Sequence, residues 1–330
     1  MTKALFLSPH LYQPTLLSKK ATRDGYGDAL LELGRTNPNV VALTADLSES
    51  TRSNLFQESF PNRFFEVGVA EQNLIGMAAG MALNGKIPFV ASYAVFSPGR
   101  NWDQLRVSVC YSKANVKIIG CHTGLTVGED GATHQALEDI AITRVLPNLT
   151  VICPADYWQA FQAVTAAAEH EGPVYIRLTR AASQIFTTAR TPFAIGQAQV
   201  LRPGNDVTII GCGPLIYEAL LAAEQLEKHS HLSVEVINMP TIKPLDERTL
   251  LNSVNKTHAV VTLEEHQVVG GLGSAVAEVL AENLPTPIEF MGMHDSFGES
   301  GKANQLLTKY HFTASHIMHA VRKVAARKQK

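Results

Sequence analysis

The chain has 330 residues, of which 45% are hydrophobic and 18% charged, enough to build two domains with cores of their own. A net charge of -2 offers no basic stripe for nucleic acid, so any anionic ligand must be met by a local cluster of Arg and His. No apolar run approaches the roughly 20 residues that a membrane helix needs, and the N-terminal ALFL is too short for a signal-peptide core, so the expected address is cytoplasmic, without a membrane partner. The cysteines, Cys110, Cys121, Cys153 and Cys212, form no CxxC pair and are expected to be small buried hydrophobes.

In chain order, Met1 to Lys20 carries Pro9 and Pro14 and no lasting periodicity, so it is expected as an arm over the surface or onto a partner. ATRDGYGDALLELGRTNP predicts a helix with Ala29, Leu30 and Leu33 on one face, stopped at Asn37-Pro38. A strand, VVALTAD, leads into a polar loop, LSESTRSN, a short helix, LFQESF, and a β-rich run, FFEVG. That run breaks at Gly68 into a helix of small and apolar residues whose first turn carries Glu71. The Gly76 and Gly80 spacing in this helix predicts close helix packing.

Then come strand IPFVASY, a helix through Asp103, Leu105, Val107 and Val109, strand VKIIGCH, loop TGLTVGEDGATHQ, helix ALEDIAITRVL, strand TVICPA, helix DYWQAFQAVTAAAEH and strand PVYIRLTR. Apolar strands alternating with helices imply a parallel sheet covered on both faces, whose ligands bind beyond the carboxyl ends of the strands. From Ala181 to Asn205 the pattern lapses into a linker and an entry strand. A second α/β series follows, with VTIIGCG, LIYEALLAAEQLEKH, VEVINM, AVVTLEEH, GGLGSAVAEVLAENL and IEFMGM, and closes on two helical segments and a solvated tail, RKVAARKQK. The expected fold is therefore α/β, two doubly wound domains divided as 1–190 and 191–330.

Several residues stand out chemically. The carboxylate of Glu71 is placed on the first turn of an apolar helix, where burial disfavours its ionised form and the helix N-terminus favours it. The loop Val127 to Gln135 uses Gly128 and Gly131 to turn tightly and puts Asp130 and His134 on one rim. Tyr93 and Phe96 are aromatics three apart just after a strand. Asp46, Ser50, His122 and Arg180 all follow strand ends, while Arg23 opens the first helix. GGLGS at Gly270 to Ser274 is neither GxGxxG nor a P-loop, and is assigned to structure or subunit contact.

The segment EVGVAEQN with its Gly/Ala/Met helix resembles the pyrimidine-binding domain of transketolase-like thiamin diphosphate enzymes, and GEDGATHQ with His122 upstream resembles the transketolase substrate loop. LEEHQVVGGLGSAVAEVL resembles the transketolase C-terminal domain. The resemblance implies that Glu71 hydrogen-bonds ring nitrogen N1′ of the cofactor's aminopyrimidine and so promotes its imino tautomer, work that needs a carboxyl group. It implies that Tyr93 and Phe96 stack on that ring and that Asp46 belongs to the same cofactor site. His122, Asp130 and His134 would contact the sugar hydroxyls, with His122 and His134 serving catalysis, while Arg23, Ser50, His122 and Arg180 would hold the terminal phosphate. Ser97-Pro98-Gly99 departs from the family pattern, so Arg100 is not placed in this set.

The resemblance spans the last two of the three transketolase domains. The GDG motif of the first, which holds a magnesium ion and the cofactor diphosphate, has no counterpart in this sequence. The implied protein is the C-terminal subunit of a split transketolase, with thiamin diphosphate and a divalent ion held by an N-terminal transketolase subunit, self-association within a heterotetramer, and sugar phosphates as substrates. The neighbouring alternatives are a deoxyxylulose phosphate synthase-like fragment and the β chain of a 2-oxo acid dehydrogenase. Outside the enzymes, the alternative is a non-catalytic relative of the same fold.

Overall fold

The computed structural model describes residues 6–328. In the first half the chain forms β1 (Lys19–Lys20), α1 (Thr22–Thr36), β2 (Val40–Thr44), α2 (Ser48–Thr51), α3 (Asn54–Ser59), β3 (Phe64–Glu66), α4 (Glu71–Leu83), β4 (Ile87–Tyr93) and α5 (Trp102–Gln104), which runs on as a π-helical stretch, Leu105–Tyr111. It continues through β5 (Lys117–Cys121), α6 (Asp139–Arg144), β6 (Thr150–Ile152), α7 (Tyr157–Glu169), β7 (Val174–Arg177) and β8 (Ser183–Gln184). The second half contains β9 (Gln199–Arg202), β10 (Val207–Gly211), α8 (Leu215–Ser230), β11 (Val234–Asn238), β12 (Thr241–Lys243), α9 (Glu247–Thr257), β13 (Val260–Gln267), α10 (Leu272–Asn283), β14 (Ile288–Met293), α11 (Ala303–Lys309) and α12 (Ala314–Ala325). Among the described residues no helix is long and apolar enough to cross a membrane.

Apart from a small antiparallel pair, β1-β8, the strands form two α/β sheets, as the alternation of elements predicts. The first has the order β12-β6-β7-β5-β4-β2-β3, parallel except where β12 meets β6. The second has the order β14-β13-β10-β11-β9, with β9 antiparallel to β11. Central strands β2 and β5 are buried along their whole length, which is why their sequences show no polar alternation. The four cysteines are buried and unpaired.

The segment between Pro240 and Pro244, which carries no strand pattern of its own, supplies β12, a second-half strand that pairs with β6 of the first sheet. The polar tract LSESTRSN likewise contains a helical turn, α2, closed by Arg52 in the left-handed conformation. The arm does not leave the chain, at least from residue 6 onward. The Ser8 amide donates to the Phe186 carbonyl, the Tyr217 hydroxyl to the Leu11 carbonyl, and Leu17 is buried in an apolar cluster built mostly from the second half. The first five residues of that arm lie outside the described residues.

Helix α4 also differs from expectation. Its inner face, with Leu74, Ile75 and Ala78, is buried, but Gln72, Asn73, Gly76, Gly80 and Leu83 are exposed. A Cβ added to Gly76 or Gly80 would meet no other atom within 4 Å, so the small-residue stripe is not packed against any described part of this chain.

The two halves are joined through buried polar groups. Arg177, at the end of β7, donates through Nε to Asp139 Oδ2 at 2.9 Å and through Nη2 to the carbonyls of Ala136 and Glu265, the latter on β13. Asp139 also accepts from the Tyr175 hydroxyl at 2.8 Å. Gln159, Gln199 and Asn238 form a second buried knot across the junction. The run GGLGS wraps a carboxylate: Glu264 accepts from the amides of Leu272 and Gly273 at the start of α10, and burial pushes its carboxyl up to about 7.

Breaking the Arg177 pair would leave a buried guanidinium without its counter-charge. Asp139→Asn is therefore expected to lower the unfolding free energy by about 3–5 kcal/mol in urea titrations. Adding Arg177→Met should restore part of the loss, because the double variant no longer buries a lone charge. A loss under about 1 kcal/mol in the single variant would remove this pair from the junction's support.

Candidate active site

The carboxyl ends of β2, β4, β5 and β7 converge on one rim, and every candidate residue except Arg23 and Glu71 lies at the last residue of one of them or in the segment that follows. Arg23 and Glu71 arrive at the starts of α1 and α4. The turn after β3 passes Gly68 at φ +70° and delivers Glu71 as the first residue of α4, 4% exposed. Glu66 braces this turn: its Oε1 accepts from the amides of Asp46 at 2.7 Å and Gly68 at 2.9 Å. Asn101 braces the other side by donating to the Glu71 carbonyl and to the Ser97 hydroxyl.

From Glu71 the contacts run without a gap. Arg100 Nη1 donates to Glu71 Oε1 at 3.0 Å, and the Arg100 guanidinium lies 3.9 Å over the Phe96 ring. Phe96 stacks with Tyr93 at 5.7 Å, and Tyr93 stacks on the His122 imidazole at 3.8 Å. His134 meets both aromatic rings edge-on, at 5.8 and 5.5 Å. Four stretches of chain, at Glu71, Tyr93 to Arg100, His122 and His134, thus deliver one carboxylate, one guanidinium, two aromatic rings and two imidazoles to a single cluster.

His122 is 2% exposed, sits at φ +57°, and its Nδ1 has no hydrogen-bond partner. Burial, reinforced by the guanidiniums of Arg23 and Arg180, lowers its imidazole to about 3. It is therefore neutral near pH 7, with one ring nitrogen able to donate and the other to accept.

Beside this cluster lies a cavity of about 310 Å³ lined by Arg23, Thr126, Val127, Gly128, Glu129 and Arg180, with Ala303 of the second half at its wall. Arg23 Nη1 donates to the Ser50 carbonyl at 2.7 Å, while Arg23 Nε and Thr126 Oγ1 are buried without partners. Arg180 Nη1 donates to the Val127 carbonyl at 2.6 Å and to Glu129 Oε2 at 3.3 Å. The unpartnered donors suit an oxyanion.

The structure thus gathers Glu71, Tyr93, Phe96, His122 and His134 in one group and Arg23, Ser50 and Arg180 in the next. Asp46 and Asp130 are exposed, and among the described residues neither carboxylate bonds to either group. Asp46 enters through its backbone, at φ +61°. Sequence reasoning missed Arg100, hidden in the Ser97-Pro98-Gly99 departure, and also Glu66 and Glu129, which lie inside the quoted stretches but carry no motif of their own.

Comparison with known proteins gives the chain's family. Residues 18–184 match the family model described as transketolase, pyrimidine binding domain, and residues 196–317 match transketolase, C-terminal domain. The chain is 48% identical over 294 residues to a putative transketolase C-terminal section of Methanocaldococcus jannaschii, covering 88% of this chain and 92% of that protein. It is 44% identical over 306 residues to the 6-deoxy-6-sulfo-D-fructose transketolase subunit SqwH of Clostridium sp., covering 93% and 95% of the two chains. Among solved structures, a split gene transketolase, an inactive beta4 tetramer, superposes with a TM-score of 0.86 at 47% identity, over 94% of this chain and all of that one.

The lowered imidazole of His122 fixes a sign. The unfolded chain takes up this proton near the ordinary value of 6.5 and the folded chain only near 3, so stability from this group is complete above 6.5 and is lost as pH falls through that window. Histidine-resolved NMR should show no titration of the His122 ring between pH 5 and pH 8. A midpoint above about 5 would mean that the imidazole is hydrated rather than enclosed.

Proposed function

We propose, since the chain belongs to the transketolase family, that it is the C-terminal subunit of a two-chain transketolase that moves a two-carbon ketol unit from a ketose phosphate to an aldose phosphate with thiamin diphosphate. The division at residues 190 and 191 would separate its pyrimidine-binding domain from its C-terminal domain. The observation that carries the reading is the buried Glu71 carboxylate joined to an aromatic platform. The Arg100 guanidinium, a flat group with N–H donors, already makes the two contacts that an aminopyrimidine needs there, one to Glu71 Oε1 and one to the face of Phe96. These residues therefore fit the cofactor's ring.

Bound thiamin diphosphate would supply the carbon nucleophile for the two-carbon unit. Glu71 would share a proton with ring nitrogen N1′ through the oxygen that Arg100 now occupies, and Tyr93 and Phe96 would orient the ring. Asp46 would border the cofactor through its left-handed backbone. His122, neutral and with a free Nδ1, would hydrogen-bond a sugar hydroxyl without adding charge, and His134 and Asp130 would line the same passage. Arg23 and Arg180, with Ser50 behind Arg23, would receive the terminal phosphate.

The cofactor's diphosphate and a divalent ion such as Mg2+ would be held by an N-terminal transketolase subunit. Two facts support a partner. The chain matches proteins that are themselves sections or subunits of transketolases, and one similar split-gene chain is an inactive tetramer of its own kind. In addition, Val69, Leu83, Val107 and Tyr111 are exposed on the flank formed by α4 and the π-helical stretch, where Gly76 and Gly80 lie open. That flank would face other chains in a heterotetramer.

The test is reconstitution. Alone, with thiamin diphosphate and Mg2+, the chain is expected to give no ketol transfer; with the N-terminal subunit it should turn over sugar phosphates and not decarboxylate pyruvate. Robust turnover by the chain alone would end the two-chain reading, and activity on pyruvate alone would move it to a different thiamin enzyme. In the reconstituted enzyme, Glu71→Gln should lower kcat by at least about 100-fold with thermal unfolding little changed, because an amide cannot share the N1′ proton. Undiminished kcat would remove Glu71 from the chemistry.

A further inference from the structure

The cavity beside the aromatic cluster contains a charge that works against its assigned occupant. Its walls carry two guanidiniums, Arg23 and Arg180, but also the carboxylate of Glu129, whose Oε2 is 3.3 Å from Arg180 Nη1. With Glu129 in place the local balance is one positive charge. With Glu129 moved aside it is two, the complement of a phosphate dianion. The Glu129 side chain is 67% exposed and flanked by Gly128 at φ +87°, so nothing packs it where it is.

A second cation sits on the segment that abuts this loop. Lys302 immediately precedes Ala303, which lines the cavity, and the same segment of the second half abuts the loop. The Gly301 carbonyl lies 3.4 Å from a Cβ built on Gly128, and the Ser300 hydroxyl 2.4 Å from one built on Gly131. Lys302 is exposed, and among the described residues its ammonium forms no ion pair. Glu129's carboxyl is held below its ordinary value first by its own backbone amide and then by Arg180, with Lys302 a smaller contributor.

We propose that Glu129 is a specificity-determining residue of this pocket, a built-in competitor for Arg180 that yields to a terminal phosphate by moving toward Lys302 of the second half. Glu129 guards the pocket against weakly charged ligands, since only a dianion repays the loss of its contact with Arg180. Lys302 lowers the cost of that displacement without touching the ligand. A sugar with a neutral end leaves Glu129 on Arg180 and finds a carboxylate acceptor instead of a free guanidinium.

This rests on the reading that Arg23 and Arg180 take a terminal phosphate, and the experiment separates the two. Inorganic phosphate is titrated against the full chain, followed by 31P line broadening, for wild type, Glu129→Gln, Lys302→Met, the double variant and Arg180→Ala. Glu129→Gln is expected to tighten phosphate about fivefold and Lys302→Met to weaken it about threefold, the range of exposed charge pairs. In the double variant Lys302→Met should have almost no further effect, because its role is to receive Glu129.

Unchanged or weaker phosphate binding by Glu129→Gln overturns the proposal. So does a Lys302→Met loss that persists in full beside Glu129→Gln, since Lys302 would then act on the ligand directly. Arg180→Ala reports on the underlying reading alone: wild-type phosphate binding in that variant removes the pocket itself.

Discussion

The loop from His122 to Glu138 carries the site's histidines, and it holds its shape because the second half of the chain grips it. It has little regular structure of its own beyond a short 3-10 turn and an isolated bridge between Thr123 and Ala136. Its fixed points come from elsewhere. Glu265 on β13 accepts from the Thr126 amide, and Gln267 donates its own amide to the Leu137 carbonyl. Gln135 donates to the Glu299 carbonyl, and Arg177 holds the Ala136 carbonyl and β13 at once. Gly124 is required at φ +75° for a second reason: a Cβ there would lie 2.4 Å from Glu265 Oε1. A chain whose catalytic candidates all come from the first half therefore needs the second half to position them. Strand exchange through β12 ties the two sheets in the same sense.

Much of this was legible in the sequence because the signals are local. Alternation of apolar strands and helices predicts the two sheets, and β4 is bounded where IPFVASY suggests. Glu71, Tyr93, Phe96, His122 and His134 sit in quoted stretches, and strand ends in a parallel sheet necessarily share a rim. What was not legible depends on contacts between segments distant in sequence. Arg100 reaches Glu71 across 29 positions, Arg177 reaches Glu265 across 88, and nothing in either neighbourhood announces the other. The small-residue stripe of α4 was read as packed, but spacing alone says only that a close approach is possible. Whether anything in the same chain approaches is a tertiary fact.

Glu71 illustrates how a buried carboxylate can be tolerated and still be available. Its partner Arg100 is half exposed, with a side chain 48% accessible, so this is not an enclosed ion pair of the Arg177–Asp139 kind, in which both side chains are 1–2% exposed. Releasing Arg100 returns a guanidinium to water at little desolvation cost, whereas releasing Arg177 would strand a charge in the interior. The same pairing chemistry thus serves two ends, a permanent tie and an exchangeable one, and the difference is set by how much water reaches the cation.

The same distinction separates structural from functional ionisable groups more sharply than a displaced pKa does. Lys117 is fully buried, and burial lowers its ammonium to about 7, a shift that would ordinarily draw attention as a catalytic base. Yet its Nζ reaches Asn115 Oδ1 and the carbonyls of His170 and Gly172, which uses all three of its donors, and it sits at the start of β5, the end away from the ligand rim. Asp156 is equally buried and equally engaged, accepting from Gln159, Phe186 and Thr187. By contrast, His122 Nδ1 and Arg23 Nε are buried without a partner among the described residues and lie beyond the strand ends, whereas Arg202, whose Nε is also unpartnered, is tied through its other nitrogens to Tyr12, Glu224 and Glu227. Unpartnered amide oxygens elsewhere, as in Asn101, Gln135 and Asn238, belong to side chains whose nitrogens are already bonded. An interior charge with every valence filled is part of the scaffold. One left with an open valence beside a cavity can be satisfied by what enters that cavity, water or ligand, which is the physical reason for placing recognition there.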